Sequence, residues 1–305
     1  MADISIALGG GGVKGIAHLG VLKKLKEEGF NIRAIAGTSA GGVAGSVFSA
    51  NIPLSEVRQS LSNLNNRHFF SRSHQDRPSL LGLRGLVNIL TPLLKNRTFE
   101  DLEIPFAVTT VDIHTHNEYI IHTGPIIEAV LATAAIPGVF PSIKIGHTEL
   151  LDGGILDPVP VAVARWLAPK LPVIAVCLSP EPEKWATLPN LQAPPDIPIP
   201  LPILEYLGRL RVSQAFQIFV QSMDITSRMI AELRMQVEKP DVIIRPNVHH
   251  VGILDRVDPD ELIEAGISAV EEALPKIHHS FAWYHQLSRQ FNAAEPPAKL
   301  LDTDG

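Results

Sequence analysis

Ser39 lies in a pattern that could make it a nucleophile. It is flanked by Gly37 and Gly41 in a G-x-S-x-G sequence, which is typical of a sharp turn between a strand and a helix. A side chain two positions from the serine would collide with the strand or with the new helix, so small residues are required there. The turn places the hydroxyl at a helix N-terminus, where backbone amides favour negative charge. The serine could instead simply cap the helix, but capping does not explain the flanking glycines.

Asp152 is the second chemical candidate, because it directly follows a predicted strand at 149–151 and precedes Gly153 and Gly154. A carboxylate in this position lies at the edge of the core, although Asp-Gly pairs are also common in ordinary turns. If Asp152 lies beside Ser39, it can accept the hydroxyl proton as a general base. Partial burial would raise the basicity of an aspartate, whose ordinary pKa is about 3.9.

A glycine run follows the first predicted strand, Ile4–Leu8, and continues to Lys14 and Gly15. Its backbone N–H groups are not blocked by side chains and could stabilise the oxyanion of an acyl-transfer reaction. The predicted oxyanion donors are Gly10, Gly11 and Gly12. The run also matches the dinucleotide pattern G-x-G-x-x-G, which needs an acidic residue after the second strand. Here the second strand leads into the Ser39 turn without an acid, which disfavours nucleotide binding.

A histidine base is the alternative to Asp152. Among the 12 histidines, His249 and His250 follow the last predicted strand, where an α/β-hydrolase with a Ser–Asp–His order places its base. His18 lies one helical turn past the glycine run, and His278 and His279 lie on the closing helix. For each of these, an ordinary surface or core position is the more common role.

Strands and helices alternate along the chain, which predicts an α/β fold around a largely parallel sheet. The 305 residues, 45% of them hydrophobic, are enough for one large core. We expect a single domain over residues 1–292, with its core at 4–167 and an extension at 168–292. Residues 179–202 contain eight prolines, so a loop without regular structure is predicted there. The tail at 293–305 is expected to be flexible.

Composition excludes several classes of function. The net charge of −6, without a basic stripe, argues against a nucleic-acid partner. The single cysteine, Cys177, cannot form an intrachain disulfide. No leader-type segment is expected at the start, and no apolar run approaches the roughly 20 residues of a membrane span. We therefore expect a cytoplasmic, soluble chain, at most peripheral to a membrane. No calcium loop of the D-x-D-x-D-G type is present, and no metal is expected.

Three motifs together resemble those of the patatin-like phospholipase family: the glycine run at 10–15, the turn at 37–41 and Asp152-Gly153-Gly154, in that order. The segments at 109–112 and 134–141 are also similar to the family. The resemblance covers residues 4–167, and 241–246 with the closing helix is similar to bacterial relatives near the neuropathy-target-esterase branch. One departure is Gly9, where the family often has an aspartate.

The resemblance implies a three-layer α/β/α fold and a Ser39–Asp152 dyad without a histidine. It implies an acyl-enzyme mechanism that uses the glycine amides and no cofactor, with Lys14 at the family's basic position. The implied activity is carboxylic ester hydrolysis of lipids, of the phospholipase A or lysophospholipase type. A Ser–Asp–His esterase or thioesterase and a catalytically silent regulatory or binding module are the alternatives.

The apolar helix predicted at 83–94 is a candidate wall for a fatty acyl chain. Leu83, Leu86 and Leu90 are the residues expected to face the chain, with Phe69 and Phe70 from the preceding loop. The same face could meet a lipid surface. An ordinary core helix would have the same pattern.

Overall fold

The chain folds around one large sheet with helices on both of its faces. The computed structural model describes residues 2–61, 77–187, 211–282 and 295–301. Within these ranges the strands are β1 (Ala2–Leu8), β2 (Phe30–Gly37), β3 (Phe106–Asp112), β4 (Glu118–Ile121), β5 (Ile143–Ile145), β6 (Thr148–Asp152), β7 (Val173–Val176), β8 (Val242–Ile244) and β9 (Lys299–Leu300). The α-helices are α1 (Ala17–Glu27), α2 (Ala40–Ser49), α3 (Leu54–Leu61), α4 (Arg84–Leu94), α5 (Ile126–Thr133), α6 (Val161–Leu167), α7 (Arg211–Glu238) and α8 (Pro259–His279).

The sheet is mostly parallel, as predicted. Its strand order is β5-β6-β3-β2-β1-β7-β8, with β4 paired to β3 and β9 paired to β4. Strands β3, β2, β1, β7 and β8 run parallel to one another. The antiparallel pairs are β3–β4, β5–β6 and β3–β6. Strands β3 and β4 therefore form an antiparallel hairpin.

Residues of β1 alternate between two buried layers. Ile6 and its neighbours on the same face pack in a core with α1, α2 and α8. Ala7 points to the other face, where it packs in a second core with Val161 of α6 and Met235 of α7. A strand buried on both faces is expected for a parallel sheet covered by helices, so the predicted three layers are confirmed. Among the described residues, no helix combines the length and the apolar content needed to cross a bilayer.

The prediction of a flexible tail is wrong for the described part of residues 293–305. Lys299 and Leu300 form β9, which pairs in parallel with Tyr119 and Ile120. The N–H of Leu301 donates to Ile120 O at 2.9 Å, and the Leu301 side chain is buried. The Ala- and Pro-rich sequence before Lys299 favoured a flexible tail. Leu300 and Leu301 instead bond to the edge of β4 that does not pair with β3.

The prediction for the proline-rich segment is also partly wrong. Residues Pro182–Thr187 form a 3-10 helix, although no regular structure was expected from 179 to 202. A short helix of this kind tolerates proline at its first position, where the missing N–H has no intrahelical partner. The remainder of the segment, from residue 188, lies outside the described residues.

Candidate functional site

Ser39 occupies the predicted turn and adopts a strained backbone conformation. It is the N-cap residue of α2, with φ of 54° and ψ of −121°, a combination that costs a non-glycine residue about 1–3 kcal/mol. The flanking glycines permit the close approach. A Cβ added to Gly37 would lie 2.6 Å from the Gly41 backbone, and one added to Gly41 would lie 2.1 Å from Leu8 O. The two glycines of the sequence pattern are therefore required on steric grounds. Ser39 itself is buried, with 6% of its surface exposed.

Two threonines hold the strained turn in place. The N–H of Ser39 donates to Thr133 Oγ1 at 2.9 Å, and the Thr133 hydroxyl donates to Thr109 O at 2.7 Å. Thr38 Oγ1 lies 2.7 Å from Thr109 Oγ1. These bonds connect β3 and the last residue of α5 to the turn, and all the side chains are buried. Sequence analysis did not find Thr133, because no local pattern marks a hydroxyl that acts across 94 residues.

Asp152 reaches Ser39 by a route that the sequence did not indicate. The alternation of strands and helices predicts a largely parallel sheet, but β6 is antiparallel to β3. Gly37 pairs with Val108 and Asp152 pairs with Thr110, both on the edge of β3 that faces away from β4. The ends of β2 and β6 therefore meet beside β3, two residues apart in register. This meeting brings the two candidate residues together.

The Asp152 carboxyl lines the same cavity as Ser39 and lies close enough to the Ser39 hydroxyl for that hydroxyl to lower the pKa of the carboxyl. Its Oδ1 accepts the N–H of Gly154 at 2.7 Å. The side chain is almost fully buried. Burial raises the pKa of Asp152 to about 6, although the nearby Ser39 hydroxyl and the hydrogen bond from Gly154 act to lower it. At neutral pH the carboxylate is therefore ionised, and it is a stronger base than an ordinary aspartate.

The glycine run begins beside Ser39, but its amides are not equivalent. The N–H of Gly10 donates to Pro158 O at 2.9 Å, so Gly10 is not available as an oxyanion donor in this conformation. A Cβ on Gly10 would lie 3.3 Å from the Ser39 Cβ, so the role of Gly10 is to leave room beside Ser39. The N–H groups of Gly11 and Gly12 have no acceptor among the described residues. Gly12 has φ of +59°, and a Cβ there would lie 2.1 Å from Ile253 O.

Lys14 is buried although its side chain carries an ammonium group. Burial lowers the pKa of Lys14, while the carboxylates of Asp224 and Asp255 act to raise it. Gly15 allows the run to pack on α2, since a Cβ there would lie 2.3 Å from the Ala40 Cβ. Gly15 therefore lets the glycine run pack closely beside Ser39, and support of the loop by Lys14 stays a prediction.

Two cavities meet at Ser39. The first, of about 150 Å³, is almost entirely apolar and includes the predicted wall residues Leu83, Leu86 and Leu90. The second, of about 100 Å³, also includes Asp152 and Lys14. Its outer side is formed by residues of α7 that the sequence did not indicate, namely Phe219, Val220, Met223, Asp224 and Ser227. Phe69 and Phe70 lie outside the described residues.

A family model matches the part of the chain that contains these motifs. The model of the patatin-like phospholipase family covers residues 6–165, just over half of the chain. The chain belongs to the patatin-like phospholipase family.

The curated relatives of this patatin-like chain include NTE family proteins and a patatin-like phospholipase domain-containing protein. An uncharacterized NTE family protein of Mycobacterium tuberculosis is 32% identical over 161 residues, which are 52% of this chain and 44% of that protein. A second such protein from the same organism is 26% identical over 289 residues, covering 89% of this chain and 46% of that protein. Patatin-like phospholipase domain-containing protein 7 of Rattus norvegicus is 31% identical over 182 residues, covering 57% of this chain and 13% of that protein. The chain thus spans less than half the length of these relatives.

No histidine is hydrogen-bonded to Ser39 among the described residues of this patatin-like chain. His250 is exposed and faces Glu261, with Nε2 at 3.3 Å from Oε1. His249 is half-buried and lines neither cavity. His18 is fully buried, and its Nε2 lies 2.7 Å from Gly9 O. His278 and His279 lie in the last turn of α8. The geometry thus brings a carboxyl, rather than an imidazole, to the serine.

Proposed function

We propose that this protein is a serine acyl hydrolase that cleaves fatty acyl esters of lipids through a Ser39–Asp152 dyad. Membership of the patatin-like phospholipase family supports hydrolysis of lipid acyl esters. The observation that carries the dyad is the buried Asp152 carboxyl, with a raised pKa, in the same cavity as the Ser39 hydroxyl. Activity of the phospholipase A or lysophospholipase type fits the two cavities that meet at the serine.

Acylation is the first step. Ser39 Oγ attacks the acyl carbonyl carbon, and its proton passes to Asp152. The carbonyl oxygen becomes an oxyanion that the N–H groups of Gly11 and Gly12 can stabilise, assisted by the positive end of the α2 dipole. The tetrahedral intermediate then collapses, and the ester C–O bond breaks. The departing alkoxide takes the proton from Asp152 and leaves as an alcohol, and the acyl group stays on Ser39.

In deacylation, water gives up the proton and Ser39 receives it. A water molecule gives its proton to Asp152 and attacks the acyl carbonyl carbon. The second tetrahedral intermediate expels Ser39 Oγ, which takes the proton back from Asp152. The products are a fatty acid and the free enzyme. One carboxyl thus serves as base and then as acid in each half-reaction, which a pKa near neutrality favours.

The two cavities suggest where the parts of the substrate bind. The apolar cavity fits an acyl chain, because burying each CH₂ group of the chain contributes about 0.8 kcal/mol. The second cavity includes the polar side chains of Lys14, Asp224 and Ser227, and it fits the alcohol side of the ester. A lipid ester has both parts, whereas a short water-soluble ester would leave the apolar cavity unused.

Hydrolysis of a fluorogenic long-chain ester tests this function. We expect Ser39→Ala to remove activity down to the background rate, because the acyl-enzyme forms on the Ser39 hydroxyl. The His249→Ala and His250→Ala variants should keep most of the activity. A loss of several powers of ten in either histidine variant, with the fold intact, would instead indicate a catalytic triad.

The apolar cavity makes a prediction about chain length. Leu86→Asp should lower kcat/KM for long-chain esters far more than for acetate or butyrate esters, because a carboxylate in the cavity is costly to desolvate. Asn88→Asp is the matched control, since Asn88 is an exposed residue of the same helix that lines neither cavity. Steady-state kinetics with a series of p-nitrophenyl esters measures the effect. Equal losses on short and long esters would contradict an acyl-chain role for the cavity.

A further inference from the structure

The dipeptide Asp157-Pro158 is bonded to all three loops that form the candidate site. Asp157 O accepts the Thr38 hydroxyl at 2.8 Å, next to the nucleophile. The N–H of Asp157 donates to Gly153 O at 2.8 Å, within the turn that follows Asp152. Pro158 O accepts the N–H of Gly10 at 2.9 Å, at the start of the glycine run. A shift of this dipeptide would therefore move Ser39, Asp152 and the glycine run relative to one another.

The Asp157 side chain is held by a partly buried charged cluster that involves β4 and α7. It is fully buried, and its Oδ2 lies 3.1 Å from Arg234 Nη2. The same guanidinium lies 3.1 Å from Glu118 Oε2 and 2.8 Å from Glu238 Oε1. It also donates to Leu156 O at 3.1 Å. Arg165, on α6, donates to the backbone carbonyls of Glu238 and Lys239.

The cluster has more carboxyls than its cation can balance. Glu238 is satisfied, because its second oxygen accepts the N–H of Ala162 at 2.9 Å. Glu118 Oε1 and Asp157 Oδ1 are buried and have no donor among the described residues. Both carboxyls contact the same guanidinium, Glu118 through Nη1 and Asp157 through Nη2, and the charge of Glu118 acts to raise the pKa of Asp157. Two ionised carboxylates in contact would repel, and one proton between them removes both the repulsion and the unpaired oxygens.

We infer that Glu118 and Asp157 share a proton beside Arg234, and that this neutralised pair positions the Ser39–Asp152 site through Asp157-Pro158. The inference rests on the proposed function for the catalytic effect, but the shared proton does not depend on it. Burial raises the pKa of both carboxyls, and Arg234 only partly offsets it. The pair therefore keeps its proton at pH values where an exposed carboxyl is ionised. Glu118, Asp157 and Arg234 are positioning residues, since none of them lines either cavity.

The pair has a defined effect on stability. An unfolded chain releases the proton near the ordinary carboxyl pKa, whereas the folded chain holds it to higher pH. The contribution of the pair to the free energy of unfolding is therefore fully present below the carboxyl pKa of the unfolded chain. It is lost as the pH rises through the higher carboxyl pKa of the folded chain. Above that pH the two carboxylates repel, and Asp157-Pro158 is displaced. The same transition should lower kcat on the alkaline side of the pH profile.

The test compares Asp157→Asn, Asp157→Leu and Glu238→Gln with the wild-type protein. Asparagine carries an N–H where the shared proton lies, so Asp157→Asn should keep kcat near neutral pH and lose the alkaline decline. Its Tm should fall less with rising pH than that of the wild type. Asp157→Leu cannot bond to Glu118 or Arg234, and its kcat should fall about 10²-fold, with little change in KM. Glu238→Gln is the matched control and should keep the wild-type slope of Tm against pH.

Two results would overturn the inference. The first is a wild-type slope of Tm against pH in Asp157→Asn, which would mean that no proton is shared. The second is a loss of kcat in a folded Asp157→Asn as large as in Asp157→Leu, which would mean that the ionised carboxylate itself is needed. The Tm comparison requires no substrate, so it decides the proton question even if Ser39 proves not to be the nucleophile.

Discussion

Asp152→Asn is expected to lower kcat for ester hydrolysis by about 10³-fold, within the range typical of removing a general base. The amide oxygen can still accept the N–H of Gly154, as Asp152 Oδ1 does now. The amide nitrogen, facing Ser39, can only donate a hydrogen bond and cannot take the hydroxyl proton. The geometry is thus retained while the base is lost. Single-turnover kinetics with a chromogenic ester would measure acylation directly.

The same substitution should stabilise the protein at neutral pH. Wild-type Asp152 has a pKa raised from 3.8 to about 6 by burial, so its contribution to stability is lost as the pH rises from about 4 through 6. That shift corresponds to about 3 kcal/mol, which asparagine does not lose because it has no charge to bury. We expect a higher Tm together with a much lower kcat. In the wild type, kcat/KM should fall as the pH drops through about 6, because the base becomes protonated.

Asp112→Asn is the matched control for Asp152→Asn. Asp112 is also a buried aspartate of the sheet, but its carboxyl accepts hydrogen bonds from the N–H of His114 and from the Thr115 hydroxyl. It lines neither cavity. Its replacement should cost stability and leave kcat nearly unchanged. Similar kcat losses in the two variants would contradict the assignment of Asp152 as the base.

Gly12→Ala should have the second-largest effect, lowering kcat by about 10²-fold or more, which is typical of losing one oxyanion donor. The residue has φ of +59°, and an added Cβ would lie 2.1 Å from Ile253 O. That oxygen belongs to the backbone and accepts the N–H of Val13 at 3.0 Å, so it cannot move without breaking a bond. The glycine run must shift instead, which moves its amides away from the carbonyl carbon attacked by Ser39. Kinetics with a chromogenic ester would measure the loss.

Gly29→Ala separates loop displacement from simple backbone strain. Gly29 also has a positive φ, of +82°, but a Cβ there meets nothing within 4 Å. It lies in the turn between α1 and β2, and it lines neither cavity. This variant should lose stability from backbone strain alone and keep its kcat. If Gly12→Ala also kept its kcat, Gly12 would not belong to an oxyanion site.

The sequence was sufficient to single out Ser39 and Asp152 as candidates, because each lies in a motif with a steric cause. Gly37 and Gly41 are required by the turn at Ser39, and Gly153 packs against Thr109 so closely that a Cβ would lie 2.3 Å from its hydroxyl. Local patterns also predicted the alternation of strands and helices, since apolar periodicity depends only on neighbouring residues.

The remainder of the site depends on pairings that no local pattern records. Thr133 supports Ser39 across 94 residues, and Arg234 reaches Asp157 across 77. The end-to-end meeting of β2 and β6 follows from the register of two strands on β3, which cannot be read from either strand alone. Gly10 looked equivalent to Gly11 in the sequence, and only the bond to Pro158 distinguishes them.

The most direct test of the account is to map the adduct of a fluorophosphonate probe by peptide mass spectrometry. The account predicts one modified residue, Ser39, and no labelling of Ser39→Ala. Labelling of Asp152→Asn should be much slower than that of the wild type, because the probe needs the same activated hydroxyl. An adduct on another residue, or undiminished labelling of Ser39→Ala, would contradict the assignment of Ser39 as the nucleophile.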